Sequence, residues 1–172
     1  MQSQVPPQGV YMNAEQASLV TYAEVQEIDK KLSSGCYACY HCWTYVIAVL
    51  AFLTAIQSVM AVFTHPIFIV NIIDAIIEVA FAIGMQEVLK SKKVADAGAA
   101  WCLALTCSAF IGVVTFIQRD AFITLFGAQG AYGYFAGLAV YYGLVYILPA
   151  YQIKALVERR EAAMAGASQY NA

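Results

Sequence analysis

Residues 66–89 read PIFIVNIIDAIIEVAFAIGMQEVL, and this stretch decides the fold. At about 1.5 Å per residue a helix over it is about 36 Å long, enough to cross a hydrocarbon layer of about 30 Å. Its interior is apolar except for Asn71, Asp74 and Glu78. Three more runs of the same kind flank it, at Cys42–Thr64, Ala97–Gln118 and Tyr132–Leu156. The expected fold class is therefore an all-α integral membrane protein: a four-transmembrane-helix antiparallel bundle. Its spans are expected at residues 42–64, 66–89, 97–118 and 132–156.

Charge sets the expected orientation. Of the nine Lys and Arg residues, eight fall at Lys30 and Lys31, at Lys90, Lys92 and Lys93, and at Lys154, Arg159 and Arg160. Four crossings place these segments on one side, with Arg119 opposite, and the positive-inside rule makes that side cytosolic, N-in and C-in. The chain is 62% hydrophobic and 12% charged, against roughly 45–50% and 25% for soluble domains. Residues 1–35 are expected to form a cytosolic-side tail with a short helix over 14–32, residues 36–157 the membrane bundle, and 158–172 a polar C-terminal tail. The tail lacks the apolar core of a signal peptide, so the first span is expected to act as its own insertion signal. No basic patch exists beyond the span flanks, which excludes nucleic acid as an expected partner. The expected partners are the lipid bilayer and other membrane-protein subunits or further copies of the chain.

Asn71, Asp74 and Glu78 stand at i, i+3 and i+7, on one face of a helix. Counted from Pro66, Asp74 lies about 12 Å deep and Glu78 about 18 Å. Each would cost about 2.5–3.5 kcal/mol alone at the bilayer centre, and no basic residue lies at comparable depth. The pair must face the bundle interior, a watery cavity or a partner. Gln57 and Ser58 are expected beside it across the short turn at Thr64, His65 and Pro66. Tyr141, Tyr142 and Tyr146 are placed to reach it from the fourth span, Ser108 or Thr115 from the third. The intramembrane polar site is thus expected from Asn71, Asp74, Glu78, Gln57 and Tyr142. One reading is a hydrogen-bonded core that fixes helix register or binds a partner. The other is a proton or cation pathway.

Lipid gives no hydrophobic drive between helices, so small residues must permit close packing. Ala100, Ala104, Ser108 and Gly112 recur every four residues, and Gly133 and Gly137 form a GxxxG pair. These stripes are expected to be seams within the bundle, the alternative being dimer contacts. Pro149 is expected to kink the fourth span. The connection Arg119–Ala131 is expected to be a longer outer loop.

Cys36, Cys39 and Cys42 precede the first span as C-x2-C-x2-C. Cysteines at such a boundary suit reversible S-acylation. Packed, unmodified thiols and a metal set completed by His41 are the alternatives; a single cluster of three lacks the second half of a usual zinc site. No nucleophile–base pair, phosphate-binding loop, cofactor motif or paired metal site stands out, so neither a catalytic residue nor a cofactor nor a metal is expected, and an enzyme is not the expected function. Four spans, inside termini and small outer loops resemble, in topology and size, the tetraspan families of the MARVEL type. That resemblance implies a protein that organises membrane contacts. The expected function is a non-enzymatic scaffold or accessory subunit, with a small oligomeric channel or proton-coupled transporter using Asp74 and Glu78 as the alternative.

Overall fold

A computed structural model of the chain describes residues 14–62 and 69–170. The described residues are helical throughout, apart from short connections, with no strands. Helix α1 is Ala14–Ser33, α2 Gly35–Val62, α3 Ile69–Ser91, α4 Val94–Ile117 and α5 Arg119–Tyr142; a π-helical stretch, Gly143–Ile147, leads into α6, Leu148–Tyr170. Four segments are long and apolar enough to cross a membrane: Gly35–Met60, Ile69–Ser91, Val94–Ile117 and Phe126–Gly166. The expected turn at Thr64, His65 and Pro66 lies outside the described residues, as does the start of the N-terminal tail.

Local chemistry explains the breaks. Helix α1 stops where Gly35 adopts φ 61°, the left-handed conformation that glycine reaches without steric cost. Just before it, the Ser33 hydroxyl donates to the carbonyls of Asp29 and Lys30, and the Ser34 hydroxyl donates to Lys30. The Lys30 carbonyl is one of the last four of the helix, which lack an intrahelical amide partner. Helix α3 ends differently, on a non-glycine left-handed residue, Lys92, at φ 52°. The Lys92 amide still donates to Val88 at 2.8 Å, and its side chain is tied to Asp29 at 2.7 Å.

One contiguous core joins Ile28 and Leu32 of α1, Ile47 of α2, Phe81, Met85 and Val88 of α3, Ala97, Ala100, Ala104 and Cys107 of α4, and Tyr142, Tyr146, Ala150, Ile153 and Val157. At the α3–α4 contact a Cβ on Gly84 would meet Leu103 at 3.4 Å and Ala100 at 3.8 Å. Around this core the outer faces are apolar. Leu50, Phe52, Ile76, Ile83, Val113, Phe116 and Leu144 are all exposed. A surface of that kind suits lipid rather than water.

Two expectations are corrected. The connection Arg119–Ala131 is helical and not a loop, interrupted at Gly127 with φ 70° and ψ 165°. The apolar residues before that break fold back on the helix after it: Phe122 stacks on Tyr134 at 5.1 Å and meets Phe135 edge-on at 5.6 Å. Arg119 also donates to the Tyr132 hydroxyl at 2.9 Å. Secondly, the stripe expected to pack within the bundle is only half used. Ala104 is fully buried and Ser108 donates to its carbonyl. A Cβ at Gly112, Gly133 or Gly137, however, would meet nothing within 4 Å. Phe122 and Tyr134 line a cavity of about 270 Å³ at this end together with Asn71, Thr115 and Gln118.

Candidate functional site

Asp74 and Glu78 lie one turn apart on α3, and tyrosines from the end of α5 and the π-helical stretch cover them. The Tyr146 hydroxyl donates to Glu78 Oε1 at 2.7 Å. Tyr142 lies 3.1 Å from the same oxygen and 3.3 Å from Asp74 Oδ2. The rings of Tyr142 and Tyr146 stack at 4.9 Å with 21° between their planes, and Phe81 packs on Tyr146 at 4.9 Å.

Backbone geometry sets the two hydroxyls side by side. Within Gly143–Ile147 the ladder widens, and the Leu148 amide donates to Gly143, five residues back. Such widened turns occur chiefly as single-turn insertions in α-helices. Pro149 follows directly. In an α-helix the amide of residue 149 would serve the carbonyl of Val145, and proline has none to give. The Tyr40 hydroxyl of α2 donates to that carbonyl instead, at 2.7 Å.

Donors are scarce at the acid pair. Each tyrosine hydroxyl carries one proton, and Tyr142 has two carboxyl oxygens within reach. Asp74 Oδ1 is buried with no hydrogen-bond partner. Tyr142 also forms part of the wall of a cavity of about 240 Å³ with Ser108, Gly112, Thr115 and Leu138.

Of the five residues expected at this site, Asp74, Glu78 and Tyr142 come together. Asn71 is exposed and lines the neighbouring cavity beside Thr115 and Gln118. Gln57 is exposed on α2, while Ser58, expected beside the pair together with it, is buried. Tyr146, one of three tyrosines expected to reach the pair, makes the shortest bond to it.

A second polar tie was not anticipated. Gln86 of α3 donates through Nε2 to the His41 carbonyl at 2.8 Å and contacts the Thr44 hydroxyl. Thr44 in turn donates to His41 at 2.8 Å. A glutamine inside an apolar span was the available signal.

A third cluster lies at the end carrying the basic residues. Asp29 of α1 bonds both Lys92 at 2.7 Å and Arg160 at 2.9 Å, and Glu24 bonds Arg159 at 2.7 Å. Burial pushes the Asp29 carboxyl up, but the hydrogen bonds and charges of Lys92 and Arg160 together outweigh it and hold the group below its usual range.

Cys36, Cys39 and Cys42 are free thiols and exposed, as is Cys102, whereas Cys107 is buried. Among the described residues no three His, Cys, Asp or Glu side chains are grouped to hold a metal, so Cys36, Cys39, Cys42 and His41 are not gathered into a ligand set. The chain matches no protein family, no curated protein and no solved structure; the outline shared with MARVEL-type tetraspans has no family match behind it.

Proposed function

We propose that this chain is a non-enzymatic four-span membrane protein that works as a scaffold or accessory subunit through lateral helix packing. In this reading the spans form an antiparallel bundle with both termini on the cytosolic side. The meeting of Asp29, Lys92 and Arg160 supports that arrangement, because it gathers basic residues from two segments at one end.

The observation that carries the proposal is the bonding of Glu78 and Asp74 by Tyr142 and Tyr146 of the same chain. A carboxyl pair that accepts from aromatic hydroxyls of another segment, with Phe81 packed on Tyr146, acts as a polar lock between helices. Gln86 on His41 and Tyr40 on Val145 tie α2 into the same unit. The polar side chains thus hold the chain together internally, and its outer faces are left for lipid and partners. Gly133 and Gly137 have open space beside them, room for a partner helix to approach closely.

The test is assembly in membranes. Gly133→Ile with Gly137→Ile is expected to abolish cross-linked complexes while the thermal unfolding of the chain itself is kept. Complexes that survive the double substitution would refute packing through this face.

The second reading is a small channel or proton-coupled transporter. It is favoured by the unpartnered Asp74 Oδ1 and by the cavity beside Tyr142, since buried carboxyls with spare acceptors are what a proton relay uses.

A further inference from the structure

Helix α2 turns one face to the bundle, marked by the buried side chains Thr44, Ile47 and Ala51. At 3.6 residues per turn, Cys36, Cys39 and Cys42 cover about 120° of the circumference on the side flanking that face. All three thiols are exposed and unpaired.

Their height along the bundle is fixed by contacts. The bond from Gln86 to the His41 carbonyl sets His41 level with the last turns of α3. A cavity of about 240 Å³ there is lined by Leu32, Ser33, Ala38, His41, Leu89 and Lys92. The cysteine-bearing turns therefore stand beside Lys92, at the end where α1 is pinned by ion pairs. Trp43 and Tyr45, both exposed, stand next in the chain, and such aromatic rings favour the headgroup level. The apolar segment Gly35–Met60 has 26 residues, about 39 Å as a helix against about 30 Å of hydrocarbon. The helix exceeds that layer by about 9 Å, room for its first turns to reach the headgroup level.

We propose that Cys36, Cys39 and Cys42 form an S-acylation site that takes long-chain fatty acyl groups from acyl-CoA. The cysteine sulfur attacks the carbonyl carbon of the acyl thioester, a new carbon–sulfur bond forms, and the bond to coenzyme A breaks. Coenzyme A leaves with that electron pair and takes up the proton lost by the cysteine, so no oxidant or reductant is needed. The acyl chain then enters the leaflet beside α2. Cys102, also exposed, lies eight residues into α4, about 12 Å from its start at Val94. Cys36, Cys39 and Cys42 lie about 1.5, 6 and 10.5 Å from the start of α2 at Gly35, so each stands nearer the polar surface than Cys102. This inference is independent of what Asp74 and Glu78 do.

The test uses the purified full chain in phosphatidylcholine liposomes, incubated with palmitoyl-CoA and analysed by peptide mass spectrometry with and without neutral hydroxylamine. Hydroxylamine-labile palmitoyl groups are expected on Cys36, Cys39 and Cys42 and not on Cys102. That labelling is lost in the triple variant Cys36→Ser, Cys39→Ser, Cys42→Ser, whose thermal unfolding stays that of the wild type because the thiols are exposed. Reduced but unlabelled cysteines in the wild type would overturn the proposal. So would equal labelling of Cys102, or adducts that persist in the triple variant.

Discussion

Tyr40 donates its hydroxyl to the Val145 carbonyl, which Pro149 leaves without its α-helical amide partner. The two residues lie 105 positions apart, so a break in one helix is closed by a side chain from another. An unserved carbonyl in an apolar interior costs about 1–3 kcal/mol, although polar contacts between membrane helices average nearer 0.6 kcal/mol. Tyr40→Phe is expected to destabilise the protein by about 1 kcal/mol in thermal unfolding in detergent. Pro149→Ala restores a backbone donor, and in that background Tyr40→Phe should cost clearly less. Equal costs in the two backgrounds would show that the bond does not compensate for the proline.

The two tyrosines on the acid pair should not be equivalent. Tyr146 bonds Glu78 at 2.7 Å and is fully buried, whereas Tyr142 divides its approach between two oxygens at 3.1 and 3.3 Å. Tyr146→Phe is expected to lower stability by about 1–2 kcal/mol, and Tyr142→Phe by about half as much. Chemical denaturation of both variants in mixed micelles checks the order; a greater loss for Tyr142→Phe would contradict it.

Much of this was legible beforehand, and the rest fails for identifiable reasons. The four apolar helices follow from run length and composition, which local sequence carries in full. The meeting of Asp74, Glu78 and Tyr142 follows from helical spacing plus the need of deep polar groups for partners. Gln57 is exposed although Ser58 beside it is buried, because neighbours on a helix lie about 100° apart and nothing local decides which of the two turns inward. The Tyr40–Val145 bond and the Asp29 cluster join residues far apart in sequence. Gly133 and Gly137 show the limit of a motif: the spacing permits close approach, but a Cβ at either would meet nothing within 4 Å.

Gly127 is the residue the backbone conformation itself requires. Its φ of 70° and ψ of 165° fall in a region that side-chain-bearing residues scarcely visit. Gly127→Ala is expected to destabilise by about 1–3 kcal/mol, although a Cβ there meets nothing within 4 Å. Gly133→Ala, equally uncrowded and within regular helix, should be neutral or slightly stabilising. Thermal unfolding of the pair separates backbone strain from crowding, and equal effects would contradict the assignment.

Docking of α1 should depend on acid. The Asp29 carboxyl is held below its ordinary value of 3.8, so its contribution is present above that value and is lost as pH falls through the lower folded value. Hydrogen exchange of the α1 amides should therefore be unchanged between about pH 7 and 5, once corrected for intrinsic rates, and accelerate below about pH 3.8. Asp29→Asn should accelerate it already at neutral pH, by a loss of about 1–2 kcal/mol. An unchanged exchange rate in that variant would mean that the Asp29 ion pairs add nothing to the packing of Ile28 and Leu32 and the Glu24–Arg159 bond.

The central claim is that Asp74 and Glu78 lock helices together and do not conduct. Its most direct test is proton and cation flux across liposomes holding the purified wild-type protein, compared with Asp74→Asn/Glu78→Gln. No flux above protein-free liposomes is expected for either protein, with the variant weakened in assembly. Flux through the wild type that the double variant abolishes would contradict it and establish a pathway through the pair.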